Sequence, residues 1–311
     1  MVLTIGTDCS GIEAPIQALM QLNIKFKHIF SSEIDKYCIQ SIKANYDPDI
    51  IFGDPEGYFP NGDITKRNLK DIPYVDIYVC GFPCQPFSAI GNQNGFKDKR
   101  SNVFFECINI IEYITPKIFI LENVKGIISN NKGQTWEIIN NELKYLEKYY
   151  NIYINILNTK DYGLPQNRER LFIIGINKSF QKKIFNIPLK KKIKDVKSFI
   201  DNSDNTKNQI TNTIAHTLSI IPKNAVFVDY GHPSSTYPNS YLWCPTLTTT
   251  NNLWCVPKKR KANYKERLQL QGFPKNFKKV VSDTQINKQI GNSISVNILK
   301  VLLKECLNCI T

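Results

Sequence analysis

Short β-branched runs that alternate with helical patterns restrict the fold of this chain more than any other feature. Val2-Leu3-Thr4-Ile5 reads as a first strand, and Gly6-Thr7-Asp8-Cys9-Ser10-Gly11-Ile12 as the turn after it. A helix is predicted over residues 13–22, with Pro15 in its first turn, where a missing N–H costs nothing. Residues 26–32 form the next strand and end at Glu33. Residues 75–80 and 117–121 read as buried strands, 101–113 and 135–149 as helices, and 152–157 and 171–176 as two further strands. Strands and helices joined by short links predict a parallel, doubly wound sheet. Strand, glycine turn, helix is how a nucleotide-binding unit opens, although the full G-x-G-x-x-G is missing here. Glu33, at the tip of the second strand, is positioned to accept hydrogen bonds from ribose hydroxyls, although on its own it reads first as an ordinary N-cap of the helix that starts near Asp35.

The pattern changes after residue 176. Residues 177–263 are rich in Lys, Asn, Thr and Pro and show no helical period. Strand-like pieces such as Ala225-Val226-Phe227-Val228 are interrupted by Pro and Gly, which predicts a small, irregular, β-rich domain. Helical patterning returns at 264–270, and 295–309 is an amphipathic final helix. The expected division is a large domain of residues 1–178 completed by 284–311, with residues 179–283 as the small domain. Charge follows the same division. Residues 176–283 hold 19 Lys and Arg against 6 Asp and Glu, so the net +13 lies in one third of the chain. A surplus confined to one segment is what a polyanion-binding module requires.

At 311 residues and 42% hydrophobic, the chain can bury a substantial core. No apolar run approaches the length of a membrane span. The opening residues lack a basic stretch before an apolar one, so neither a signal peptide nor a membrane helix is expected. Nine scattered cysteines suit reduced thiols in an intracellular compartment. Cys306-x-x-Cys309 has no second pair at finger spacing, so no metal is expected and one turn of the last helix explains it.

The stretch Gly81-Phe82-Pro83-Cys84-Gln85-Pro86-Phe87-Ser88 follows a strand end directly. Two prolines flanking a cysteine keep the loop out of helix and hold the thiol at the carboxyl edge of the sheet. Residues 89–100 are polar, rich in Gly, Asn and Lys, and read as a mobile loop.

Together these pieces resemble a cytosine-C5 DNA methyltransferase. The resemblance rests on Asp8-Cys9-Ser10-Gly11, Glu33, Gly62-Asp63-Ile64, Pro83-Cys84-Gln85-Pro86-Phe87-Ser88, Glu122-Asn123-Val124, Gln166-Asn167-Arg168-Glu169-Arg170, Arg267-Leu268-Gln269-Leu270-Gln271-Gly272-Phe273-Pro274 and Gln289-Ile290-Gly291-Asn292-Ser293, in that order. It implies an α/β fold with a Rossmann-like, doubly wound mixed sheet. A small β-rich target-recognition domain would be inserted before the C-terminal helix. It also implies S-adenosylmethionine as methyl donor, S-adenosylhomocysteine as product and double-stranded DNA as partner. A soluble intracellular monomer is expected, in the cytoplasm or nucleoid, or in a host cell if the source is viral. A companion restriction endonuclease is a further partner that the resemblance suggests.

By the same resemblance Cys84 is the nucleophile, because a thiolate added at C6 makes carbon 5 of cytosine nucleophilic enough to take a methyl group. Glu122 corresponds to the carboxyl that donates at N3, and Arg170 to the residue that holds O2, with Arg168 supporting it. An extended segment would point Arg168 and Arg170 to one side and Asn167 and Glu169 to the other. Cofactor contacts carry over to Cys9, Gly11, Ile12, Glu33, Ile34, Asp63, Ile64, Pro83, Asn292 and Ser293. Two departures stand in that set: Cys9 replaces the usual Phe, and Glu13 stands where the first turn usually continues with glycine. A base within a duplex is out of reach, so the cytosine must be flipped out. That gives residues 88–100, with Ser88, Lys97 and Arg100, the task of closing over it. Pro245-Thr246-Leu247-Thr248 matches the end of the family's recognition domain, placing Thr246 and Thr248 at DNA, and Lys258, Lys259, Arg260 and Lys261 are expected on phosphates. Two other readings are a tRNA cytosine-C5 methyltransferase and a catalytically silent DNA-binding protein. The tRNA branch of the family carries Thr where this chain has Ser88, together with a Cys-Phe-Thr signature absent here. The silent binder is opposed by the presence of Cys84, Glu122, Arg168 and Arg170.

Overall fold

The computed structural model describes residues 2–83, 103–231 and 237–311. The chain divides into two compact units. One comprises Met1–Leu157, Glu169–Pro188 and Lys300–Thr311; the other comprises Asn158–Arg168 and Leu189–Leu299.

The first unit is built on β1 (Leu3–Asp8), α1 (Ala14–Gln21), β2 (Phe26–Ser32), α2 (Lys36–Asn45), β3 (Ile50–Phe52), β4 (Ile77–Cys80), α3 (Val103–Ile114), β5 (Ile118–Val124), α4 (Gln134–Leu146), β6 (Tyr150–Asn158) and β7 (Glu169–Asn177). Its seven-stranded sheet has the order β3-β2-β1-β4-β5-β7-β6. Strands β3, β2, β1, β4 and β5 are parallel neighbours, whereas β7 runs antiparallel to β5. The sheet is therefore mixed, as the resemblance implies, and the parallel reading of the strand–helix alternation gives way only at β7. The link from β6 to β7 contains only a short 3-10 turn, Thr159–Asp161, which is too little chain for a crossover helix. Strand β4 is buried along its whole length and β5 at all but its last residue, as expected of strands covered on both faces. Their side chains join Phe30, Phe52, Phe104 and Tyr150 in one apolar cluster, where each fully buried aromatic contributes about 1.5–3 kcal/mol. Strand order reverses between β1 and β4, so the carboxyl ends of these two strands flank the crevice where such sheets place ligands.

The second unit contains α5 (Asn212–Ile220), β8 (Phe227–Asp229), β9 (Leu253–Cys255), β10 (Arg260–Lys261), α6 (Tyr264–Gln271), α7 (Asp283–Asn292) and the start of α8 (Val296–Ile310). Its sheet is three-stranded and antiparallel, in the order β10-β9-β8. Strand is sparse, and helix α5 lies where no helical period was expected. Thr211 caps α5 by accepting a hydrogen bond from Ile214 N, and Ile214, Leu218 and the C-cap residue Ile221, at i, i+4 and i+7, face the unit's core, a stripe short enough to be lost among polar neighbours. Trp254, Tyr237, Val228, Ala225 and Ile214 form the unit's own small core. After α8 begins in the second unit, residues Lys300–Thr311 belong to the first. There the carbonyl of Cys309 accepts from Lys182 N at 2.7 Å and Lys183 N at 3.2 Å, and both Cys306 and Cys309 are buried.

Among the described residues no helix is long and apolar enough to cross a membrane, and no group of three or more His, Cys, Asp or Glu could hold a metal ion.

Candidate active site

At the carboxyl end of β1 the backbone turns through Cys9 at φ 49° and Gly11 at φ 57°. The left-handed region strains Cys9 and suits Gly11. A Cβ built on Gly11 would meet nothing within 4 Å among the described residues, so the turn is open on that side to them. Gly11 N donates to Glu33 Oε2 at 2.9 Å, and Ile34 N and Asp35 N donate to Oε1 at 2.9 and 3.1 Å. The Glu33 carboxylate thus ties the ends of β1 and β2 together. Burial raises its pKa above the usual carboxylate range, against the pull of those three N–H donors. Ile34 beside it is 75% exposed, unusual for a large apolar side chain, while Ile12 is buried. Gly62 packs against this strand end so closely that a Cβ would lie 2.0 Å from the Glu33 carbonyl oxygen. Asp63 follows and caps the 3-10 turn Ile64–Lys66, accepting from Thr65 N at 3.0 Å and Thr65 Oγ1 at 2.7 Å, and Ile64 is buried. Of the ten expected cofactor contacts, the structure brings Gly11, Glu33 and Ile34 together directly, with Gly62 leading Asp63 and Ile64 up to Glu33.

The second group of expected residues gathers at β5 and β7. Glu122 is 7% exposed, and its Oε1 lies 3.4 Å from Arg170 Nε. Burial pulls the Arg170 guanidinium below the usual arginine range, and the Glu122 carboxylate opposes that shift. Arg170 Nη1 also donates to the Glu169 carbonyl at 2.7 Å. The next residue along β5, Asn123, donates from Nδ2 to the Phe82 carbonyl at 2.8 Å. Asn123 therefore fixes the backbone two residues before Cys84. The sequence motif contained Asn123, but nothing in residue type or spacing assigned it this bond. Pro83 is exposed. Cys84, Ser88, Lys97, Arg100 and the expected loop 88–100 lie outside the described residues.

The sequence pattern of the C-5 cytosine-specific DNA methylase family matches residues 8–308. The chain is 36% identical over 294 residues to the Type II methyltransferase M.SsoII of Shigella sonnei, across 90% of this chain and 74% of that protein. It is 37% identical over 298 residues to the Type II methyltransferase M1.ScrFI of Lactococcus lactis subsp. cremoris, across 91% of this chain and 72% of that one. The chain belongs to the C-5 cytosine-specific DNA methylase family. As a DNA cytosine-5-methyltransferase it shares its fold with a crystal structure of a Spodoptera frugiperda DNMT2 mutant. That match has a TM-score of 0.71 at 17% identity and covers 98% of this chain and 99% of that one.

In the methyltransferase's second unit, Arg168 is buried and spends its guanidinium on backbone. Nη1 donates to the Leu247 carbonyl at 2.8 Å, and Nη2 to those of Gly291 at 3.0 Å and Ser293 at 2.9 Å. Arg168 stands one residue before β7 and has other partners than Arg170, which faces Glu122. Gln166 is buried beside it, donating to the Leu270 carbonyl and Gln271 Oε1 and accepting from Leu247 N. These bonds join four of the sequence motifs through buried polar groups, a role that sequence spacing did not reveal. Asn292 is exposed at the end of α7, and Ser293 is buried, its hydroxyl donating to the Ile294 carbonyl. Thr246 Oγ1 donates to the Asn167 carbonyl, and Thr248 Oγ1 shares a hydrogen bond with Thr250 Oγ1.

Within the basic run the structure separates one residue from the others. Lys259 and Lys261 are exposed and Lys258 is half-buried. Arg260 is 0% exposed and pairs with both carboxylate oxygens of Glu266 at 2.8 Å, with further bonds to the carbonyls of Asp201, Asp204 and Lys261. The phosphate contact expected of Arg260 is corrected on this geometry: a buried guanidinium satisfied by protein acceptors braces the fold. Its carboxylate partner Glu266 closes the capping box at the start of α6.

Proposed function

We propose that this methyltransferase moves a methyl group from S-adenosylmethionine to carbon 5 of a flipped-out cytosine, within a specific double-stranded DNA sequence, through a covalent bond between Cys84 and C6. The observation that carries the reading is the pair of adjacent residues on β5. Asn123 tethers the segment that leads into Cys84, and Glu122 faces Arg170 at 3.4 Å. In this reading the Cys84 thiolate adds at C6, the protonated Glu122 carboxyl donates its O–H to N3, and Arg170 donates to O2 as electron density builds there. Arg168 supports the site by fixing the backbone of the second unit. Water is the candidate base for the C5 proton.

The turn at the end of β1 suits a nucleoside-bearing donor. Open space at Gly11 among the described residues, an exposed Ile34 to lie against an adenine, and a Glu33 carboxylate oriented by three N–H groups are the features such a ligand requires. Cys9, Ile12, Asp63, Ile64, Pro83, Asn292 and Ser293 complete the proposed contacts. When bound, S-adenosylmethionine supplies an electrophilic methyl on a sulfonium centre. The second unit is the proposed target-recognition domain, with Thr246, Thr248, Lys258, Lys259 and Lys261 at DNA, and with Ser88, Lys97 and Arg100 closing from the loop.

The test is incubation with labelled donor and either duplex DNA or tRNA, followed by duplexes carrying 5-fluorocytosine, which cannot lose a C5 proton. Label in duplex DNA and a trapped covalent complex are expected. Label in tRNA alone would replace the DNA reading, and label in neither would favour the silent binder.

A further inference from the structure

Glu13 takes no part in the chemistry above, yet it occupies the most costly position in the cofactor turn. It is the N-cap of α1 at φ 59°, ψ 52°, in the left-handed region, and its side chain makes no capping bond. An acidic N-cap normally accepts from the first turn of its own helix. Glu13 points inward and is 0% exposed. Its Oε1 accepts from Thr7 Oγ1 on β1 at 2.6 Å and from Ser31 Oγ on β2 at 2.5 Å. His28 Nε2, also on β2, lies 3.1 Å from Ser31 Oγ and 3.6 Å from Glu13 Oε1.

The network continues into the turn itself. The Thr7 hydroxyl lies 2.7 Å from Ser10 Oγ, which accepts from Ser32 N at 2.9 Å. Ser10 N donates to the Ser32 carbonyl at 3.0 Å, and Glu13 N to the Ser10 carbonyl at 2.9 Å. One buried carboxyl group thus links β1 and β2 through Thr7 and Ser31, in addition to the bond of Gly11 N to Glu33. A glycine at position 13 would relieve the backbone strain and the cost of burying a carboxyl group. It would also leave Thr7 and Ser31 without their common acceptor and take away the carboxyl group 3.6 Å from His28. Retaining Glu against both costs points to work done at the turn rather than at the helix.

We propose that Glu13 is a positioning residue for the methyl donor, holding the Gly11 turn against the end of β2 so that the Gly11 N–H and the Glu33 carboxylate keep their spacing. The proposal rests on the reading that the donor sits at Gly11 and Glu33.

Glu13→Gly should raise KM and Kd for S-adenosylmethionine about tenfold while kcat stays within about twofold, in keeping with the loss of a buried acceptor. Glu13→Gln should stay within about threefold of the native enzyme, because its amide oxygen can keep both hydroxyl bonds of Oε1. Donor binding by Glu13→Gly within about twofold of native, or Glu13→Gln as weak as Glu13→Gly, would overturn the proposal. Thermal melts establish that each variant is folded. If Glu13→Gly does not fold, the near-isosteric Thr7→Val replaces it, with KM expected to rise about fivefold and an unchanged KM counting against the idea. Glu33→Ala separates the two readings. Native-like donor binding by that variant would remove the donor site from this turn altogether. Loss of binding there, with Glu13→Gly unaffected, would remove the positioning role alone.

Discussion

A thiol at its ordinary pKa of ~8.5 is only about 3% thiolate at pH 7, so a nucleophilic cysteine depends on what its neighbours do to charge and position. The segment leading to Cys84 is held at the Phe82 carbonyl by Asn123, and Glu122 beside it on β5 faces Arg170. In the proposed mechanism the first would supply position and the second charge. Cys84→Ala should lower methyl transfer by more than about 10³-fold while DNA affinity stays near native. Residual turnover close to native in a labelled-donor assay would mean that another group forms the bond to C6.

The elements divide into those that announce themselves in sequence and those that do not. Unit two shows the physics of the second kind. Burial works against Asp204, but hydrogen bonds from Asn263 and Thr206 and the charge of Arg260 hold its pKa down, from the ordinary 3.8 to about 2. A carboxylate depressed in the folded state contributes stability that is present above pH ~4 and is lost as pH falls toward 2. Buried Trp254 lies in this unit and reports its packing. Acid titration of its fluorescence should show the unit loosening between about pH 4 and 2, and Asp204→Asn should flatten that change. An unchanged acid profile in the variant would show that Asp204 contributes nothing to stability there. Thr206 is local to Asp204, but Asn263 and Arg260 stand 59 and 56 positions away, which no local pattern encodes. Helix α5 is hard to read from sequence because its apolar period, Ile214, Leu218 and Ile221, is short and lies among polar residues. By contrast β4, β5 and the turn at Gly11 were legible, because buried strands and left-handed turns restrict residue type directly. Glu33 and Glu122 could be picked out as site candidates from their motifs. The acceptor role of Glu13 and the separation of Arg168 from Arg170 could not, because both depend on which hydroxyls and carbonyls tertiary folding brings near.

At the scale of the whole molecule, the proposed DNA-binding role of segment 176–283, with its positive surplus, predicts that DNA affinity falls as ionic strength rises. Each lysine on a phosphate adds about 0.9 to the slope of log affinity against log salt. Replacing Lys258, Lys259 and Lys261 with Ala should reduce that slope by roughly one unit per true contact. Arg260→Ala should leave the slope nearly unchanged and lower the melting temperature, because its charge is already satisfied by Glu266. Equal effects of all four on the slope would place Arg260 at DNA after all.

The last stretch of α8 has a consequence of a different kind. Lys300–Thr311 belong to the first unit, although Leu189–Leu299 intervene in the chain. A ribosome moving at about 5–20 residues per second needs roughly 5–20 seconds to make that intervening stretch. Throughout that interval the nascent amino-terminal half lacks the apolar strip of Leu302, Leu303, Cys306 and Cys309 that finishes its core. Synthesis order thus leaves an early-made half waiting for its final piece, and chaperone demand during translation should be greatest before residue 300 emerges.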